Sequence, residues 1–151
     1  PRRCRRKAGH QAPVTTSPLL DTCAMIWMGE DAPIAPAAVT AMDKAGADGT
    51  PVLISPISAW ERAMLVAKGR LRSPLSPKAW FDRILSVGGL KLAPLSPDIL
   101  ADASFLPEPL HGDPADRIII ATARALDLTI ITRDKKILDY AAQGHVRAIA
   151  C

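Results

Sequence analysis

The sequence predicts an α/β domain of three layers, with a mostly parallel five-stranded sheet between two sets of helices. Three observations predict it. Short apolar segments alternate with longer helical patterns, prolines stand where helices begin, and one helical stretch is apolar nearly all round. Strands separated by helices imply parallel neighbours, because a parallel pair needs a crossover connection. A helix without a polar face belongs between a sheet and its outer layer. The 151 residues, 48% hydrophobic and 23% charged, suit one globular domain with a real core.

In chain order, residues 19–20, 52–54, 90–95, 128–131 and 146–149 read as strands or strand ends. Helical patterns occupy 24–28 and 35–45, then 56–68, 77–87, 97–105, 114–126 and 135–142. Four helix starts carry a signature: Ser55-Pro56, Ser76-Pro77, Ser96-Pro97 and Asp113-Pro114 each place a capping side chain before a proline. Proline at a first helical position loses nothing, since its missing N–H would have had no partner there. The all-apolar stretch is Ile118, Ile119, Ile120, Ala121, Ala123 and Leu126. Pro18 falls inside the first strand, where its missing donor predicts an edge or a strand end rather than a centre.

The formal net charge of +4 comes from one segment. Arg2, Arg3, Arg5, Arg6 and Lys7 are five of the 19 basic residues, and without them 14 bases face 15 acids. Residues 1–13 are therefore expected to be a basic, disordered arm or a start-site extension, with Val14 an alternative start and 14–151 the domain. The arm begins like an export signal. Residues 8–18 nevertheless hold Gly, His, Gln, Pro, Thr and Ser where an apolar run is needed, so a cytoplasmic protein is expected. No apolar stretch approaches the roughly 20 residues that span a bilayer, so no membrane partner is expected. Cys4, Cys23 and Cys151 form an odd, scattered set, and His10, His111 and His145 are equally dispersed, which predicts neither a disulfide nor a zinc site.

In an open parallel sheet, functional groups gather beyond the carboxyl ends of the strands. Asp21 follows the first strand and Asp134 the fourth, Glu61 lies in the helix after the second, and Asp113 and Asp116 open the apolar helix. Each has a structural explanation as well. Asp21, Asp134 and Asp113 suit helix caps, Asp116 suits a first helical turn, and Glu61 could close a capping box with Ser58. Together, converging carboxylates would raise one another's pKa unless a cation neutralised them. An all-carboxylate site without Cys or His suits Mg²⁺ or Mn²⁺, ions that serve phosphoryl transfer.

Leu19-Leu20-Asp21-Thr22, Ser58-Ala59-Trp60-Glu61, His111-Gly112-Asp113-Pro114-Ala115-Asp116-Arg117 and Thr132-Arg133-Asp134 occur in that order. Together they resemble the PIN-domain ribonucleases, especially VapC-type toxins, over about residues 14–149. The resemblance implies a PIN-like fold with Asp21, Glu61, Asp116 and Asp134 as catalytic and metal-site acids. Thr132 matches a supporting hydroxyl position; Asp113 and Arg117 fall in the same motif, the first read mainly as a cap and the second as a phosphate or ion-pair partner. It further implies an Mg²⁺- or Mn²⁺-dependent endoribonuclease toxin, homodimeric and silenced by a cognate antitoxin. Two alternatives remain at this level. One is a PIN-like antitoxin-binding module of weak activity. The other is a receiver-like phosphoacceptor, which would need an acid pair at the first strand, where Asp21 has Leu20 and Thr22 beside it, and a lysine after the last.

RNA handling by a slightly acidic body would draw on Arg62, Arg117, Arg133, Lys135 and Lys136, or these bases simply pair with acids. Trp27, Trp60, Trp80 and Phe81 have spacings that suit packing better than base stacking. Residues 24–28 and 64–71 suit core packing or a groove for a partner helix. Gly46, Gly49, Gly88 and Gly89 form no phosphate-cradling loop.

Overall fold

The computed structural model describes residues 16–151; the expectation for 1–13 lies outside them. The elements are β1 (Pro18–Leu20), α1 (Thr22–Gly29), α2 (Pro36–Ala47), β2 (Val52–Ile54), α3 (Ile57–Ala67), α4 (Pro77–Leu85), β3 (Leu90–Leu92), α5 (Pro97–Asp102), α6 (Pro114–Ala125), β4 (Thr129–Thr132), α7 (Lys135–Ala142) and β5 (Arg147–Ala150). The strands form one sheet in the order β3-β2-β1-β4-β5, and every pairing is parallel.

Alternation along the strands divides the core in two. Leu20, Ile54 and Ile131 face α1, α2 and α4 with Met25, Ala38, Trp80, Phe81 and Ile84. Leu19 and Ile130 face α5, α6 and α7 with Ile99, Ile119, Ile120, Ile137 and Tyr140. This is the three-layer arrangement. As the sequence predicts, the middle of α6 is buried continuously over residues 119–123; Pro114 at its start and its last turn open to solvent.

Three of the four Ser/Asp-Pro starts form as expected. Ser76 accepts from the Ala79 N–H, Ser96 from Ile99 and Asp113 from Asp116, each with proline beginning the helix. At the fourth, Ser55 reaches only the Ile57 N–H at 3.3 Å, and Pro56 stands before the first helical residue. The expected strand over 90–95 is cut to three residues; its pairing ends as Ala93 donates to the Ile54 carbonyl, since Pro94 has no donor to continue. Pro18 stands at a strand end, one of the two places expected for it, though the strand is the central one and not an edge. It is tolerated as the first residue, where Ser17 and Thr129 carry the neighbouring hydrogen bond.

α3 leaves the carboxyl end of β2 and touches α1 and α4 on one side and α6 on the other. It thus spans the sheet's carboxyl edge, where the acids are. Among the described residues no helix is long and apolar enough to cross a membrane.

Candidate active site

Asp21 begins where β1 ends. Its N–H donates to the Ile131 carbonyl at 3.1 Å, extending the β1–β4 ladder by one residue, and its Oδ1 caps α1 by accepting from the Ala24 N–H at 2.7 Å. The Thr132 hydroxyl donates to Oδ2 and accepts from the Asp134 N–H at 2.9 Å. One hydroxyl, completely buried, therefore ties together the acids that follow β1 and β4. Asp134 caps α7 through the Lys136 N–H at 2.7 Å. Capping and a place on the acidic edge, alternatives in the sequence, coincide in both residues.

Glu61 reaches the same edge from α3. It accepts from the Thr22 hydroxyl, which lies 3.0 Å from the hydroxyl of buried Ser58. The capping box between Ser58 and Glu61 does not form: Ser58 turns inward to Thr22, and Glu61 sits past the helix's unpaired N–H groups. Asp116 enters from the first turn of α6, with its N–H on the Asp113 carboxylate at 3.0 Å and its Oδ2 2.7 Å from His111 Nε2.

The electrostatics show that these acids share one field. Burial pushes the Asp21 carboxyl up to about 6 against the bonds from Thr132 and Ala24, with Asp116 and Asp134 adding repulsion. Glu61 rises to about 7, chiefly through burial and then through Asp116, Asp113 and Asp21. Asp116 is raised mainly by burial, opposed by His111 and assisted by Asp113 and Asp134. The neighbouring Cys23 thiol is pushed to about 11 by burial and by Asp21, Glu61, Asp116 and Asp134. Of the described bases, only His111 is hydrogen-bonded to a side-chain carboxylate of Asp21, Glu61, Asp116 or Asp134.

The bases named from sequence are mostly committed elsewhere. Arg117 spends its guanidinium on the carbonyls of Ala103 (2.9 Å), Leu110 (3.5 Å) and His111 (3.3 Å) and on Glu108 (3.2 Å), so it is an ion-pair partner and not directed at the acids. Arg133 lies 3.8 Å over the Trp27 ring and donates to the main-chain oxygens of Cys151 and Pro33. Arg62 is buried 3.7 Å over Trp80, its Nε and Nη1 without a hydrogen-bond partner. Lys135 pairs with Asp139, and Lys136 is exposed. Trp27, Trp80 and Phe81 pack as expected, whereas Trp60 is 52% exposed. Residues 24–26 are buried in the core, and Leu65 and Leu71 pack against it.

Sequence reasoning assigned no site role to His111, Thr22 or Ser58. Each lies inside a motif already singled out, at a short spacing from an acid, but which acid it serves depends on how α1, α3 and the α5–α6 connection meet.

A PIN domain family model matches residues 19–143. This chain is a PIN domain. The match holds all four acids and replaces the receiver-like alternative. The PIN domain is 28% identical to Ribonuclease VapC22 of Mycobacterium tuberculosis over 123 residues, covering 81% of this chain and 90% of that one. Its fold is shared by VapBC2 from Rickettsia felis, solved bound to a DNA fragment from their promoter, with TM-score 0.62 and 17% identity over 88% of this chain and 97% of that chain. It is also shared by FitAB bound to an IR36 DNA fragment, with TM-score 0.51 and 22% identity over 88% and 94% of the two chains.

Proposed function

We propose that this PIN domain is a VapC-type toxin, an endoribonuclease that uses Mg²⁺ or Mn²⁺ and is neutralised by a cognate antitoxin, working as a homodimer in the cytoplasm. The observation that carries the reading is the convergence of Asp21, Glu61, Asp116 and Asp134 from four different elements, with the carboxyls of Asp21, Glu61 and Asp116 raised by burial and by repulsion from neighbouring acids. The family match and the likeness to VapC22 support the same activity.

The donor set fits a hard divalent cation. All four groups are carboxylates, and the repulsion among them is what a cation would relieve. Among the described residues no three His, Cys, Asp or Glu side chains stand close enough to ligate one ion as they are. Glu61 Oε1 is hydrogen-bonded to Thr22 and Asp116 Oδ2 to His111, so ligation would use the remaining oxygens and a small approach of the acids to one another. Mg²⁺ or Mn²⁺ held there would neutralise charge on the scissile phosphate and make water a better nucleophile.

The chain's own residues supply position and protonation control. The Thr132 hydroxyl and the Ala24 N–H hold both Asp21 oxygens in a fixed orientation. Glu61, titrating near neutrality, can hold or release a proton at Oε1 beside Thr22, which suits a general base or acid. RNA is reached without a basic body, so phosphate contacts fall to exposed Lys136 and to main-chain donors, and Trp60 is available for stacking.

The test is RNA cleavage by the parent, Asp21→Asn and Asp116→Asn under saturating Mn²⁺, alongside calorimetric titration of Mn²⁺. Cleavage and Mn²⁺ binding by the parent, both lost in the variants, are expected. Undiminished cleavage by either variant overturns the assignment; a flat titration with antitoxin binding intact favours the binding-module alternative.

A further inference from the structure

Resting on the ribonuclease reading, we propose that Arg117 and His111 are positioning residues: a clamp that folds the α5–α6 connection onto α6 and sets the Asp116 carboxylate for its ligand. Arg117 projects from the first turn of α6 yet bonds backward to the segment before it. Nε takes the Ala103 carbonyl at the start of that segment, Nη1 takes the Leu110 and His111 carbonyls at its end, and Nη2 takes Glu108 between them. One planar guanidinium so gathers both ends of a connection that has no helix or strand of its own. The Tyr140 hydroxyl adds a tie from α7 to the Pro107 carbonyl at 2.8 Å.

The product of that folding is the place of one imidazole. His111 Nε2 lies 2.7 Å from Asp116 Oδ2, while Oδ1 takes no hydrogen bond among the described residues. An acid whose one oxygen is oriented by an imidazole and whose other is free has the arrangement by which outer hydrogen bonds aim a metal-binding carboxylate. Asp116 needs such help more than Asp21 does. Asp21 is held at both oxygens by adjoining secondary structure, whereas Asp116 has only its own helix's cap on the main chain. The motif from His111 to Arg117 is therefore one device: the arginine closes the segment, the histidine aims the acid.

The experiment compares the parent, Arg117→Lys, His111→Ala, His111→Asn and the Arg117→Lys/His111→Ala double variant. Mn²⁺ affinity is read by calorimetry, and kcat and KM on a fluorescent single-stranded RNA of mixed sequence; thermal unfolding confirms that each is folded. The clamp predicts Mn²⁺ affinity lower by about tenfold or more in Arg117→Lys and His111→Ala. It also predicts a fall in kcat with KM unchanged, partial recovery in His111→Asn, and a double variant no worse than the poorer single one. A raised KM with unchanged Mn²⁺ affinity would make Arg117 a phosphate contact and overturn the proposal, as would strictly additive losses. A parent that neither binds Mn²⁺ nor cuts RNA removes the ribonuclease reading itself; an active parent matched by all its variants removes only the clamp.

Discussion

Asp21 and Asp116 lie on the same edge and feel one another's charge, but they are held in opposite ways. Asp21 continues a central strand, caps the next helix and takes a hydroxyl from the strand beside it, so its bonds come from residues at most one strand away. Asp116 and Glu61 ride on helices, and their side chains are met by groups from other elements: His111 from a connection, Thr22 from α1. The sheet half of the site comes with the fold. The helix half is assembled by packing, and is therefore the half that substitutions remote from the acids should disturb.

The largest expected effect is on the sheet half. Asp21→Asn should lower RNA cleavage by at least a hundredfold, while raising the unfolding temperature at pH 8 without divalent ions, because it removes a buried charge. Cleavage assays and thermal melts in chelator check both. A stability loss there would show that Asp21 is retained for structure.

Next comes the shared hydroxyl. Thr132→Val leaves the Asp134 N–H and Asp21 Oδ2 without a partner and should cost about 1–3 kcal/mol, with Thr132→Ser recovering most of it. Thr22→Val, its counterpart in the helix half, takes a partner from the buried Ser58 hydroxyl but lets partly exposed Glu61 turn to water, and should cost less, about 1 kcal/mol. Chemical denaturation of the three variants tests the contrast, and equal losses would erase it.

The pH dependence follows from the direction of the shifts. The Asp21 carboxyl moves from 3.8 to about 6 and that of Glu61 from 4.5 to about 7, so the folded state prefers both protonated. Their contribution to stability is complete below the ordinary values and is lost as pH rises through 6 and then 7. The unfolding temperature without divalent ions should fall from pH 4 to pH 8. Mn²⁺ at pH 8 should restore it, since binding only the folded state stabilises it. A flat profile in the parent would mean that the acids are not crowded.

The smallest effect concerns the arm. Deleting residues 1–13 removes five bases and no acid, and should lower the pI sharply while leaving Mn²⁺-dependent cleavage within about twofold. A larger loss would place the arm at the RNA.

Much of this site was legible in the chain. Caps and strand ends are local matters, so Asp21, Asp113 and Asp134 declare themselves through the residues beside them. Glu61 and Asp116 were legible through spacing within motifs. The fates of the arginines were not: Arg62, Arg117 and Arg133 stand equally close to the acids in sequence, yet one is buried over Trp80, one closes a connection and one covers Trp27. Trp60 and Trp80, similar in their helical patterns, end as an exposed ring and a buried one.

By itself the sequence determined the alternation of strands and helices, three acids at strand ends or a helix start, and Glu61 within the helix after the second strand, because periodicity, proline and capping act over a few residues. Only the tertiary structure decided that β1 with Pro18 lies at the centre, that Thr132 bridges two acids, and that His111 meets Asp116. Those outcomes depend on strand order and helix packing, which bring together groups up to 111 residues apart.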